Sequence, residues 1–194
     1  LADPVEVEGW IWDLTFDKAG RRLAVAMGVS AADQDASGSV AILGWPSCNV
    51  QQTISTDGPR CRSVDWLADD TRVVTAAESQ LALWDVKTGQ TIRISRGHTF
   101  RVFSVAWSPD SARLCSCSWD GTIRLWDSVT GKEIRVLKAP GTIDCVAWSP
   151  DGKHIVSGSN DKAIHIWDPE TGREIKALEA HTDHIVSVSF FAGG

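Results

Sequence analysis

The chain has no tyrosine and a single methionine, no apolar run near the roughly 18 residues of a membrane-crossing helix, and no block of basic residues. Each absence removes a class of function. Without a long apolar run there is no helical membrane span, and the amino end, LADPVEVEGW, lacks the basic start and apolar centre of a secretory signal. A cytoplasmic location and no membrane partner are therefore expected. Lys and Arg number 19 against 25 Asp and Glu, a net charge of −6 with nothing to track a phosphate backbone, so nucleic acid is not expected as a partner. The five cysteines, Cys48, Cys61, Cys115, Cys117 and Cys145, are odd in number and scattered, which predicts reduced thiols rather than a disulfide framework. Gly-x-x-x-x-Gly-Lys, His-Glu-x-x-His and Gly-x-Ser-x-Gly are all missing, so neither a catalytic motif nor a cofactor is predicted. Cys115 and Cys117 fall on one side of a strand and read as core, and the HTDH of 181–184 is not read as a metal site.

What the chain has in abundance is tryptophan, and it recurs. The segments LALWDVKTGQTIRI (81–94), IRLWDSVTGKEIRV (123–136) and IHIWDPETGREIKA (164–177) align without gaps, with Trp84, Trp126 and Trp167 42 and 41 residues apart. Before each comes a second unit, VDWLADDTRVVTAA, VAWSPDSARLCSCS and VAWSPDGKHIVSGS, beginning at Val64, Val105 and Val146. A fainter copy leads the chain: LTFDKAGRRLAVA (14–26), then a longer polar loop (28–39), then VAILGW (40–45), where Gly44-Trp45-Pro46 takes the place of Trp-Asp. HTDHIVSVSF (181–190) matches HTFRVFSVAW (98–107) and starts a fifth copy.

Within each copy the residues alternate as in short strands, with turns signalled by Ser-Pro-Asp and Thr-Gly, and no helical periodicity intervenes. Four short strands every forty-odd residues make one propeller blade. In the Thr-Gly turns, Gly89, Gly131 and Gly172 are expected to supply a positive φ between the third and fourth strands.

Gly97-His98, Ser-Pro-Asp at 108–110 and 149–151, and the Trp-Asp pairs ending at Asp85, Asp127 and Asp168 resemble the WD-repeat β-propeller family over nearly the whole chain. The resemblance implies an all-β fold of β-propeller blades: four four-stranded antiparallel blades plus one strand of a fifth, as a fragment of a seven-bladed propeller. It implies a single propeller region over 1–194, with copies at 5–54, 55–95, 96–137, 138–178 and a truncated 179–194. The start at Leu1 and the stop at FFAGG fit such an excised piece.

In that family a buried set links a His before the first strand, a Ser or Thr late in the second, an Asp in the next turn and the Trp of the third. The resemblance assigns these roles to His98, Ser118, Asp120 and Trp126. The next copy keeps Ser159, Asp161 and Trp167 but has Ala139 in the His place, and the copy before has Asp57 and Glu78 in the His and Asp places. Such a set satisfies buried polar groups among themselves, so the 97–138 blade is expected to be the most rigid. Ser, His and Asp also compose a hydrolase triad, but here they recur with the repeat and read as structure.

The resemblance further implies three partner-binding positions per blade: two alternate residues near the start of the first strand, and the residue before the turn Asp. These are Trp10 and Trp12, then Arg60, Arg62 and Ala77, then Arg101, Phe103 and Trp119, then Thr142, Asp144 and Asn160, and finally His184 and Val186. Of the two Trp-Asp pairs in SWDGTIRLWD (118–127), Trp126-Asp127 then closes the copy while Trp119 precedes the turn Asp120 and faces outward. Tryptophan and arginine dominate interface hot spots, so an acidic or aromatic protein or peptide is the expected partner. The competing expectation is that Trp10, Trp12 and Phe103 pack between blades or against blades missing from the chain.

The leading functional expectation is a non-catalytic scaffold that docks a partner on the propeller top face. A sensor or regulatory domain of a larger signalling NTPase or kinase is the alternative. A propeller enzyme would need acids on the first strands, where only Asp13, Asp65 and Asp144 stand out. An open arc of four blades would leave unpaired strand edges, which predicts self-association of the chain made alone.

Overall fold

Strand alternation is realised throughout the computed structural model, which describes residues 9–28, 37–56, 58, 60–179 and 181–190; Asp57 and most of the 28–39 loop lie outside these. The first blade is β1 (Trp10–Phe16), β2 (Arg22–Gly28), β3 (Ser39–Gly44) and β4 (Val50–Ser55), and the second is β5 (Cys61–Trp66), β6 (Arg72–Ala77), β7 (Gln80–Asp85) and β8 (Thr91–Arg96). The third is β9 (Val102–Trp107), β10 (Arg113–Ser118), β11 (Thr122–Asp127) and β12 (Glu133–Lys138), and the fourth is β13 (Ile143–Trp148), β14 (Ile155–Ser159), β15 (Ala163–Trp167) and β16 (Glu174–Glu179). In each four-stranded sheet consecutive strands are neighbours. No described residue is helical.

The turns follow from side chains that bond their own backbone. Ser108 Oγ donates to Asp110 Oδ1 at 2.6 Å and accepts the Arg113 N–H at 2.9 Å, and Ser149, Asp151 and His154 repeat the arrangement. Asp127 Oδ1 accepts both the N–H and the hydroxyl of Thr130, at 2.7 Å each, and the chain turns back through Gly131 at φ 67°. A side chain at that φ would be strained, which is why glycine stands there.

The chain divides into two compact units, Leu1–Ile94 and Ser95–Gly194. In the first, Ala24, Ile42 and Ile54 of the first blade bury against Cys61, Val64 and Trp66 of the second. Trp66 Nε1 donates to Thr15 O at 3.1 Å, while the Arg22 guanidinium lies 4.6 Å from the Trp66 ring. In the second unit, Cys115, Cys117, Ile123, Leu125 and Leu137 of the third blade share a core with Ile143, Val146, Trp148, Ile155 and Trp167 of the fourth. There Arg113 lies 5.0 Å from the Trp148 ring and donates to Glu170 Oε1 at 2.6 Å. Residues 181–190, expected as a strand, form no ladder: Ile185 is buried and its N–H reaches Ser159 O at 3.3 Å, but no described strand pairs with the segment.

Candidate functional site

The first strand of every blade carries a β-bulge at the same place. Pairing skips from Ile11 to Asp13, from Cys61 to Ser63, from Val102 to Ser104 and from Ile143 to Cys145. The residues left over are Trp12, Arg62, Phe103 and Asp144, four of the positions expected from the sequence to meet a partner. A bulge releases one residue from the ladder and re-aims its side chain. Repeated in register, it gives each blade one such side chain near the mouth of its first strand.

In the second unit these side chains converge. Trp119, 41% exposed on the β10–β11 turn, stacks on the bulged Phe103 with ring centres 4.4 Å apart and planes 15° off parallel. Phe100, 49% exposed, is nearly parallel to Trp119 at 6.3 Å, and the Arg101 guanidinium lies 5.9 Å from the Phe100 ring. Trp119 Nε1 donates to Oδ1 of the bulged Asp144 at 2.6 Å, and its backbone N–H donates to Arg101 O at 3.2 Å. The outcome is an indole pinned at both its ring N–H and its backbone and still partly exposed.

The first unit holds a smaller version. The Arg62 guanidinium lies 4.5 Å from the Trp12 ring, joining the bulged residues of adjacent blades, and Trp10 is 65% exposed. Arg60 is half-buried and forms an isolated bridge to Gly28. Asn160 and His184 stand apart from the aromatic group: Asn160 Oδ1 accepts the Thr142 N–H at 3.0 Å, and the exposed His184 donates its N–H to Asp183 Oδ1 at 2.8 Å.

The buried set of the third blade differs from the sequence expectation in one member. His98 Nδ1 meets Asp120 Oδ2 at 2.8 Å and Nε2 meets Ser116 Oγ at 2.7 Å; Trp126 Nε1 donates to the same Ser116 Oγ at 2.8 Å. The hydroxyl is Ser116, not Ser118. Register explains the correction: Trp126 lies opposite Leu114, so its indole reaches one diagonal step to 116, whereas Ser118 is at the strand end beside the bulge. Ser118 Oγ instead donates to Phe100 O at 3.1 Å and accepts the Asp120 N–H at 3.0 Å. In the fourth blade Trp167 Nε1 likewise donates to Ser157 Oγ at 2.9 Å, while Ser159 accepts from the Asp161 N–H.

The fourth blade also supplies a histidine that sequence reasoning missed. With Ala139 in the usual His place, Asp161 Oδ2 instead meets Nε2 of the buried His165, on β15, at 3.0 Å, and His165 Nδ1 lies 3.4 Å from Glu174 Oε1. In the third blade the position two before the tryptophan is Arg124, paired with Glu133. The signal was a His appearing two residues before Trp167 in the copy that had lost one at 139.

The first-strand acids are spent internally. Asp13 Oδ2 accepts from Ser63 Oγ at 2.7 Å and from the Val64 N–H at 3.1 Å, and burial pushes its carboxyl up against the pull of those bonds. Asp65 Oδ1 accepts the Trp66 N–H at 2.9 Å, and Asp144 holds Trp119. All five cysteines are free; burial raises the Cys61 thiol to about 12 and Cys145 to about 11, far from a reactive thiolate.

The same repeats occur in known proteins. A family model described as WD domain, G-beta repeat matches residues 89–127 and 131–168. WD repeat-containing protein 1 of Bos taurus is 40% identical over 86 residues, 42% of this chain and 14% of that protein. The WD repeat-containing protein WDS homolog of Arabidopsis thaliana is 32% identical over 132 residues, 64% of this chain and 24% of that protein. Telomerase protein component 1 of Mus musculus is 25% identical over 133 residues, 69% of this chain and 5% of that protein. The chain thus spans no more than about a quarter of the length of these relatives. With blades of four antiparallel strands, Trp-Asp pairs at 84–85, 126–127 and 167–168, and two successive matches to the repeat, the chain carries WD repeats over residues 89–127 and 131–168.

Proposed function

We propose that this chain is a non-catalytic docking scaffold that holds a protein or peptide against the surface built from Arg101, Phe103 and Trp119. The family's general role in protein interaction supports the class, as does the commitment of Asp13, Asp65 and Asp144 to internal bonds. The single observation that carries the site is Trp119, exposed yet pinned between Phe103 and Asp144. An aromatic anchor held in one orientation loses little freedom on binding, which makes it suited to a hot spot. Arginine beside the stack favours an acidic or aromatic segment in the partner. The same surface would serve a sensor region of a longer signalling NTPase or kinase.

Replacing Trp119 and Arg101 together by alanine is expected to weaken capture of the partner by about 30-fold or more, the effect of losing at least one hot spot of about 2 kcal/mol. Thermal melting of the variant should stay near that of the parent chain, since both side chains are outside the core. Unchanged pull-down profiles from a folded double variant would sink the proposal.

A further inference from the structure

The first and second blades leave a groove at a seam that an ion pair bridges in the second unit. Arg22 and Arg113 occupy equivalent places, six residues after Phe16 and Trp107, and each lies over the tryptophan of the following blade. In the second unit Glu170 reaches back and pairs with Arg113. The residue equivalent to Glu170 in the first unit, three after its own tryptophan, is Lys87. A cation therefore stands where an acid would close the seam.

Two hollows of about 560 and 410 Å³ lie at this seam, sharing Arg22, Gln51 and Asp70. Arg22 itself is committed: Nε donates to Asp17 Oδ2 at 3.0 Å, another guanidinium N–H to Asp70 O, and the ring of Trp66 covers its face. Asp17 is used up by Arg22 and by the Arg21 and Arg22 N–H groups, and Asp70 Oδ1 accepts the Lys18 N–H at 2.8 Å. The exposed Arg21 and Lys87, which line the two hollows, make no ion pair among the described residues.

The third element is Trp45. The first copy lacks the Asp-x-x-Thr-Gly turn of the others; the register places Leu43-Gly44, and not Trp45 as expected, where they have the Trp-Asp pair, and Trp45 follows, 49% exposed and held edge-on to Phe16 at 5.3 Å. Its backbone N–H donates to Arg21 O at 2.7 Å, which ties the two turns together, and both side chains line the larger hollow. An exposed apolar ring and Arg21, at the β3–β4 and β1–β2 turns, line one hollow, and Lys87, on the β7–β8 turn, lines the hollow that shares Arg22, Gln51 and Asp70 with it.

We infer that this groove is a second docking site, for a short peptide whose acidic side chains meet Arg21 and Lys87 and whose aromatic side chain packs on Trp45. Charge complementarity selects the acid, and the exposed indole selects a peptide over a free anion. The site is separate from the Trp119 surface, so either can fail without the other.

The test uses the full chain and a fluorescein-labelled Glu-Glu-Phe-Gly peptide, with Gln-Gln-Phe-Gly as its neutral counterpart, read by fluorescence anisotropy in low salt. The acidic probe is expected to bind at least about tenfold tighter than the neutral one, since every 1.4 kcal/mol is tenfold. Lys87→Glu, which restores the acid found at 170, and Trp45→Ala should each weaken the acidic probe about tenfold, and Trp119→Ala should leave it unchanged. Lys87 is exposed, so Lys87→Glu should fold; Arg21→Gln gives an independent loss of the same charge contact. Equal binding of both probes, no binding at millimolar peptide, or binding indifferent to Lys87→Glu and Arg21→Gln would overturn the inference.

Discussion

Asp120→Ala is expected to destabilise the Ser95–Gly194 unit by about 2–4 kcal/mol, the cost of leaving several buried or half-buried donors without their acceptor. The carboxylate accepts from His98 Nδ1 at 2.8 Å, from the Thr99 N–H at 3.0 Å, from the Thr122 N–H at 2.9 Å and from Thr122 Oγ1 at 2.5 Å. Its loss leaves four donors without their acceptor and frees the loop before β9 from the β10–β11 turn. Against a total of about 5–15 kcal/mol for a typical domain, that is a large share. Urea unfolding at pH 7 measures it, and a variant whose midpoint matches the parent would contradict the role given to Asp120.

The same set fixes the direction of the pH response. Burial holds the His98 imidazole below its ordinary pKa, outweighing the pull of Asp120. The folded chain therefore keeps a neutral ring, with Nδ1–H donating to Asp120 and Nε2 accepting from Ser116. An unfolded histidine takes up its proton near pH 6.5, so stability declines as pH falls below that value. Burial alone would raise the Asp120 carboxyl, but bonds from Thr122, His98 and Thr99 bring it below the usual range. Its stabilisation is present above the unfolded pKa near 3.9 and lost as pH falls through the lower folded value. Both groups act in the same direction, Asp120 below about pH 4 and His98 toward 6.5, while the raised Asp13 carboxyl acts oppositely just above pH 4; urea midpoints should therefore rise from pH 5.5 to pH 7, and a flat or falling profile there would count against the neutral-imidazole arrangement.

Trp167→Ala is the second large effect, an expected loss of about 3–5 kcal/mol from emptying a buried indole site. Trp167 is 2% exposed, packs in the core shared by the third and fourth blades, lies tilted against the His165 ring at 5.8 Å and donates to Ser157. Trp167→Phe refills most of the volume but strands the Ser157 hydroxyl, for a smaller loss of about 1–3 kcal/mol. A urea midpoint for Trp167→Ala within error of the parent would mean that the fourth blade does not depend on this core.

The blades were legible because their information is local: strand alternation, Ser-Pro-Asp and Asp-x-x-Thr-Gly turns each bond their own backbone, and the tryptophan period repeats these units in register. The third-blade set was legible for His98, Asp120 and Trp126. Choosing between Ser116 and Ser118 depended on cross-strand register, which residue spacing does not contain, since both lie on the same face of β10. His165 escaped because its role comes from a β15 position that elsewhere holds Arg124 or Ala82. The bulges explain why alternate first-strand residues can face a partner, and only pairing registers reveal them. The Trp119 to Asp144 bond joins residues from separate copies, and only folding brings them together.

The docking surface is the central claim, and the most direct measurement is site-specific photo-crosslinking in the cell. Phe100, beside Trp119 and not itself pinned by a side-chain hydrogen bond, is replaced by benzoyl-phenylalanine; Val129, 76% exposed on the β11–β12 turn, receives the same group as the comparison. A discrete protein adduct is expected from position 100 that disappears when Trp119→Ala is added, and none of that size from position 129. Adducts of equal yield from both positions, or from neither, would contradict it.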